Sequence, residues 1–148
     1  MADPARSAAS HADLDEIRES FGFFDAWEER YRFIIDLGRS LPSLPETDRT
    51  EGRLVRGCQS LVWLVPSFDA GARTLHLDID SDAHIVRGLI AIVLAAYNDR
   101  TPEQILAFDM EALFTELDLM AHLSSTRGNG LRAMVARIRR EAEDRLAA

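Results

Sequence analysis

The stretch SLVWLVPSFDAGARTLHLDIDSD, residues 60–82, predicts a β-hairpin. Its first part, SLVWLVPSF, is β-branched and aromatic, and DAGAR, with Gly71, is typical of a turn between strands. In TLHLDIDSD apolar and polar residues alternate strictly, so one set would face a core and the other set water. The core set is Leu75, Leu77 and Ile79, and the water-facing set is Thr74, His76, Asp78 and Asp80. With a short strand around residues 53–56, these segments predict a small antiparallel sheet.

The chain that follows the hairpin has helical patterns. SDAHIVRGLIAIVLAAYN, residues 81–98, is apolar nearly all round and predicts a central core helix with Ser81 or Asp82 as its cap. TPEQILAF, residues 101–108, combines a Thr101 cap, Pro102 at the first helical position and Gln104 in a capping box. DMEALFTELDL, residues 109–119, predicts a second short helix.

Two further helices are predicted at the ends of the domain. FGFFDAWEERYRFIIDLGRSLP, residues 21–42, carries one apolar stripe and reaches its end at Gly38. That stripe consists of Phe24, Trp27, Tyr31, Ile34 and Ile35. Residues 123–130, LSSTRGNG, predict a loop, and the last helix is expected from Leu131 with a Glu141–Arg145 pair. Its predicted stripe consists of Leu131, Met134, Val135, Ile138 and Leu146.

The order of elements predicts an α+β fold, with helices packed on an antiparallel sheet. Residues 1–13 are expected to form a disordered tail and residues 14–148 a single domain. The formal net charge of −8 argues against sequence-independent binding to nucleic acid or to an anionic membrane. The longest apolar run, residues 89–97, is too short to span a bilayer, and no secretory signal is visible. A lone thiol without an export signal indicates a cytoplasmic protein.

Cys58, the single cysteine, lies in LVRGCQSLVW, residues 54–63. One cysteine cannot form an internal disulfide, and it is too few for a zinc or iron–sulfur site built on cysteine spacing. It is therefore a buried small hydrophobe, an intermolecular link or a reactive nucleophile. Its neighbours favour reactivity, because Gly57 permits unusual backbone angles and arginines can stabilise a thiolate. These neighbours are Arg53, Arg56, Gly57, Gln59 and Ser60.

No hydrolase constellation accompanies the thiol. A cysteine nucleophile of the protease type needs a nearby base, and no spacing marks any of the four histidines for that role. They are His11, His76, His84 and His122. The chain also has no GxGxxG, P-loop or HExxH motif. A free-standing cysteine hydrolase is thus disfavoured.

Several segments resemble the SufE family of sulfur acceptor proteins. They are WEERYRFIIDLGRSLPSLP, RGCQSLVWLV, SDAHIVRGLIAIVLAAYNDRTPEQILAFD and HLSSTRGNGLRAMVARIR, and the resemblance covers residues 14–145. It implies a fold like that of the IscU-type scaffold, with a small antiparallel sheet and helices packed on one face. CsdE proteins carry nearly the same motifs, so the sequence is similar to both kinds.

The resemblance also implies a function. SufE proteins take sulfur from the persulfide of a pyridoxal-phosphate cysteine desulfurase, SufS- or CsdA-like, stimulate that enzyme, and pass the sulfur to an iron–sulfur scaffold such as a SufB-like complex. Cys58 matches the acceptor cysteine, with Gly57, Gln59 and Ser60 in the same motif. Arg127 matches the arginine of the LSxxRxxGL segment, which lies beside the acceptor loop in the family. The implied protein needs no metal and no cofactor of its own, because the pyridoxal phosphate belongs to the desulfurase.

One alternative to the sulfur carrier remains. It is a regulatory partner of the desulfurase that transfers no sulfur and in which Cys58 is structural. A carrier would shelter its reactive sulfur, so we expect Cys58 to face a small apolar pocket beside the start of the core helix and the residues before Arg127. Burial there would raise the pKa of the thiol, whereas nearby arginines would lower it.

Overall fold

The computed structural model describes residues 13–147, which form six α-helices and one two-stranded antiparallel sheet. In chain order the elements are α1 (Leu14–Phe23), α2 (Trp27–Arg39), β1 (Val62–Asp69), β2 (Thr74–Ser81), α3 (His84–Tyr97), α4 (Pro102–Ala107), α5 (Met110–Glu116) and α6 (Ser125–Ala147). The predicted α+β class is confirmed. The predicted tail lies outside the described residues except for Asp13, whose carboxylate caps α1 by accepting from the Asp15 amide.

The hairpin pairs over its whole length, from Val62 opposite Ser81 to Asp69 opposite Thr74. The three predicted core residues of β2 are all buried. The prediction for Asp80 is wrong, because its side chain is 0 % exposed and the connection after α2 crosses over it. The strand predicted around residues 53–56 is also wrong: a 3₁₀ turn occupies Glu51–Arg53, and only one bridge, Leu54 to Trp63, joins this segment to β1.

Helix α3 forms the centre of the domain and packs closely against α2. A Cβ on Gly88 would lie 2.0 Å from the Ile34 carbonyl oxygen, and one on Gly38 would lie 2.6 Å from the Gly88 nitrogen. Larger residues at these two positions would force the helices apart. Gly38 therefore serves this contact, and α2 ends one residue after it, at Arg39, close to the predicted end.

The start of α3 differs from its prediction. The helix begins at His84 with Ala83 as the N-cap residue, and no side chain caps it. Ser81 instead ends β2, where its hydroxyl donates to the Leu61 carbonyl and accepts from the Ala83 amide. The Ser81 hydroxyl thus joins the end of the sheet to the approach to β1.

The N-terminal segment forms two helices instead of the one predicted. Arg30 stabilises the break, because its Nε donates to the carbonyls of Phe21 and Phe24, at 3.1 and 2.9 Å, where α1 ends. Its guanidinium also lies 5.2 Å from the centre of the Trp27 ring. Of the predicted stripe, only Ile34 is fully buried.

The C-terminal helix begins six residues earlier than predicted, at Ser125. Residues 125–130 are helical despite two glycines, and both glycines lie against neighbouring side chains: a Cβ on Gly128 would lie 3.2 Å from the Met120 sulfur. Leu131, Met134 and Ile138 are buried as predicted, whereas Leu146 is 47 % exposed. Glu141 pairs with Arg137, not with Arg145.

The two short helices agree with their predictions. Thr101 and Gln104 form the capping box of α4, and Pro102 is its first residue. Asp109 caps α5 through the Ala112 amide. Of the helices described, none is both long enough and apolar enough to cross a membrane.

Candidate site at Cys58

Cys58 lies on a short loop, residues 56–60, between the Leu54–Trp63 bridge and strand β1; we call it the Cys58 loop. Gly57 turns the chain with a φ of +92°, a conformation that side chains strongly disfavour. A Cβ at this position would also lie 3.2 Å from the Ala133 Cβ on α6. The glycine therefore lets the loop lie directly on α6.

The thiol of Cys58 contacts the backbone of α6. Its sulfur donates to the Gly130 carbonyl oxygen at 3.3 Å. Gly130 lies directly against the cysteine, because a Cβ there would lie 3.5 Å from the sulfur, at ordinary van der Waals contact. A thiol is a weak donor, so this one bond holds the side chain loosely.

Cys58 lines a pocket with a free volume of about 50 Å³. That is more than the roughly 10–15 Å³ that one water molecule occupies, so an atom added to the thiol sulfur has room. The apolar lining residues come from β1, α3 and α6: Val62, Val86, Leu89, Leu131 and Met134. The polar lining residues come from the Cys58 loop and the start of α6: Gln59, Ser60, Ser124, Thr126 and Arg127.

The electrostatic setting favours the neutral thiol at rest. Burial raises the pKa of Cys58 above its ordinary value. Arg56 does not oppose this effect, because its side chain is 74 % exposed and its guanidinium lies 3.8 Å from the Glu51 carboxylate. A protonated thiol is also the form that can donate to Gly130. Cys58 in this state is a slow nucleophile, because the thiolate is the reactive form.

Four of the residues singled out from the sequence meet at this pocket. Cys58, Gln59, Ser60 and Arg127 line it, and Gly57 adjoins it. Arg127 is exposed at the mouth, and within residues 13–147 its guanidinium makes no hydrogen bond or ion pair. Gly130 was not predicted to contact the thiol. The glycine pair in RGNGL was the available signal, because glycine inside a helix can mark a close approach.

No histidine in the described part of the chain lines the pocket. His76 lies between Asp78 and Asp99, which raise its pKa to about 9. His122 stacks on the Trp27 ring with 3.9 Å between centroids, and His84 is exposed at the start of α3. His11 lies outside the described residues. Across residues 13–147, no group of three acidic, histidine or cysteine side chains could hold a metal ion.

Comparison with known proteins relates the chain to a family. Residues 15–142 match the family described as SufE: Fe-S metabolism associated domain. An uncharacterised SufE-like protein of Rhizobium meliloti is 49 % identical over 137 residues, which cover 91 % of this chain and 98 % of the relative. A second uncharacterised SufE-like protein, from Rhizobium etli, is 50 % identical over 139 residues, which cover 93 % of this chain and 94 % of the relative.

A solved structure shares the fold. The solution structure of a hypothetical protein from Thermus thermophilus matches with a TM-score of 0.72 at 18 % identity, covering 91 % of this chain and 96 % of that one. At this identity the likeness concerns the fold alone. The family match and the two relatives each extend over nearly the whole chain. The chain therefore belongs to the SufE family, which gives it a role in iron–sulfur metabolism with a cysteine desulfurase as partner.

Proposed function

We propose that this protein is a cytoplasmic sulfur acceptor that takes persulfide sulfur from a cysteine desulfurase onto Cys58. In doing so it stimulates the desulfurase, and it delivers the sulfur to a SufB-like scaffold for cluster assembly. The observation that carries the proposal is the placement of the only cysteine: it is on a glycine-turned loop and faces a pocket with room for an added atom.

The transfer needs only one thiol. The Cys58 thiolate attacks the outer sulfur of the donor persulfide, a new S–S bond forms to Cys58, and the S–S bond of the donor breaks. The donor cysteine leaves as a thiolate and takes up a proton, so no external oxidant or reductant is consumed. A thiolate of the receiving scaffold repeats the same exchange on the Cys58 persulfide. The pyridoxal phosphate stays on the desulfurase, and this chain contributes the thiol and the pocket.

The pocket supports a carrier that protects its cargo. In the resting geometry the thiol is half-buried and protonated, and the outer sulfur of a persulfide would extend into the apolar space beside Val86 and Leu131. Water-borne reductants would reach it slowly there. Docking of the desulfurase must then favour a conformer with the loop exposed, which requires the partner to bind that conformer more tightly than the resting one.

Intact-mass spectrometry tests the proposal. After incubation with desulfurase and cysteine, the protein should gain one sulfur, about 32 mass units, on Cys58. Cys58→Ser is close to isosteric and should keep the fold, gain no mass and fail to stimulate the desulfurase. A desulfurase that lacks its own active-site cysteine provides the control and should transfer no sulfur. Full stimulation by the serine variant would contradict the carrier and favour the regulatory partner with a structural cysteine.

A further inference from the structure

The buried carboxylate of Asp80 accepts hydrogen bonds from two arginine side chains. Its Oδ2 accepts from the Leu44 amide and from Arg49, both at 2.9 Å, and its Oδ1 accepts from the Ser81 amide at 2.8 Å and from Arg87. We call these five residues the Asp80 cluster. One arginine would balance one carboxylate, so the second arginine calls for a separate explanation.

The two arginines differ in what else they hold. Arg87 is only 14 % exposed, and it also donates to the carbonyls of Gly38 and Leu41, where α2 ends. Arg49 is 34 % exposed, and its guanidinium lies 5.1 Å from the centre of the Trp63 ring. Arg87 is thus the internal counter-charge, whereas Arg49 joins the surface connection to the sheet.

Arg49 closes a ring of contacts around the segment that leads to Cys58. Trp63 is opposite Asp80 in the sheet, and it also bridges to Leu54. Next to that bridge the Val55 amide donates to the Val62 carbonyl at 2.9 Å. Residues 49–55, which we call the stem, are therefore fixed to the sheet at both of their ends.

The far side of the Cys58 loop is fixed as well. The Leu61 amide donates to the Asp82 carboxylate at 3.1 Å, and the Leu61 carbonyl accepts from the Ser81 hydroxyl at 2.7 Å. Only residues 56–60 lie between these anchors, with Cys58 three residues from each. Since an extended chain spans at most about 3.5 Å per residue, the reach of Cys58 is limited to roughly 10 Å from either anchor.

We propose that Arg49 is a positioning residue that clamps the stem to the sheet through Asp80 and Trp63, so that only residues 56–60 move when the thiol leaves its pocket. The clamp therefore limits how many residues move when the thiol leaves its pocket. Its consequence for sulfur delivery rests on the proposed function, but the clamp itself is a property of the isolated protein. Without it only the Leu54 and Val55 contacts would hold the stem to the sheet, and conformers with an exposed thiol would become more populated.

The test uses Arg49→Gln in the full-length protein without any desulfurase. The alkylation rate of Cys58 by a small maleimide should rise roughly tenfold, the scale set by losing one hydrogen bond between charged groups. Amide hydrogen exchange should accelerate in residues 50–55 and stay unchanged in α3, because Arg87 still balances Asp80. Arg39→Gln is the matched control: Arg39 is 74 % exposed, pairs with Asp36 at 3.1 Å, and lies in α2 away from the stem.

Arg49→Lys sharpens the result, because lysine keeps the charge but lacks the planar fork that bonds and stacks at once. It should give an intermediate alkylation rate. Equal rates and equal exchange in the Arg49→Gln and Arg39→Gln variants would overturn the clamp. So would faster exchange throughout α3, which would make Arg49 a general stability residue. Neither measurement involves sulfur transfer, so a Cys58→Ser variant that still stimulates the desulfurase would reject the acceptor and leave the clamp standing.

Discussion

The Asp80 cluster and the Cys58 loop lie at the same end of the sheet and are held in opposite ways. The Asp80 carboxylate is fully buried and accepts four hydrogen bonds, two of them from arginines. The Cys58 thiol is half-buried and makes one weak bond to a backbone carbonyl. The strong polar contacts therefore join the stem to the sheet and, within residues 13–147, are absent from the Cys58 loop. Under the proposed function, this arrangement would let the thiol leave its pocket without loosening the domain.

Removal of the Asp80 charge should have the largest effect of the proposed substitutions, and the effect should fall on the free energy of unfolding. Asp80→Asn leaves Arg87, which is nearly buried, without a counter-charge, and breaking a buried ion pair in this way costs about 3–5 kcal/mol. Denaturant unfolding of the variant measures the loss. Asp36→Asn, at an exposed i,i+3 pair, is the control and should change the free energy of unfolding by less than about 0.5 kcal/mol. A similar small change for Asp80→Asn would mean that the cluster does not stabilise the fold.

The contrast also separates what the sequence predicted from what it did not. Alternation along β2 identified Leu75, Leu77 and Ile79 correctly, because a strand that packs on helices has one covered face. The same rule failed at Asp80, because the partners that bury it come from another segment, the connection after α2. The alternation of apolar and polar residues predicts which face of one strand is buried. It does not predict that a distant segment crosses the other face.

Glycine was misread for a related reason. The pattern around Gly128 and Gly130 predicted a loop, since glycine is unfavourable inside a helix. In the structure both are helical: a Cβ on Gly128 would lie 3.2 Å from the Met120 sulfur, and Gly130 lies in contact with Cys58. Gly38 was read as a helix end, and it lies one residue before the end of α2, but it also contacts α3. The distinction depends on what lies opposite the glycine, which neither spacing nor propensity encodes.

The site itself could be predicted in part. The single cysteine and its glycine identified a candidate nucleophile from the residues alone. Its proximity to Arg127, 69 positions later in the sequence, came only from the family resemblance. The sequence also left open whether burial or neighbouring arginines would set the pKa of the thiol. The structure favours burial, because Arg56 extends into solvent.

The next prediction concerns how the alkylation rate of Cys58 depends on pH. Because burial raises the pKa of the thiol, the thiolate fraction at neutral pH should be lower than in a model thiol. The maleimide rate of the free protein should therefore be slow at pH 7, rise about tenfold per pH unit, and level off at a higher pH than for a model thiol. Addition of a desulfurase that lacks its own cysteine should shift the curve toward that of the model thiol. A rate equal to that of a model thiol in the free protein, or a slow rate unaffected by the partner, would reject the sheltered loop.

Arg127 should give the smallest effect on stability and still a measurable one on sulfur acceptance. Its guanidinium is exposed at the pocket mouth and unpaired within residues 13–147, so Arg127→Ala should change the free energy of unfolding by less than about 0.5 kcal/mol. A cation at the mouth favours the anionic sulfur of a thiolate or persulfide. Loss of one such contact should slow the appearance of the Cys58 persulfide roughly three- to tenfold in a single-turnover mass measurement. Arg140→Ala is the matched control, because Arg140 is exposed on α6 and does not line the pocket. Equal rates for the two variants would show that Arg127 is a surface residue without a role at the site, and recovery by Arg127→Lys would identify charge as the property that acts.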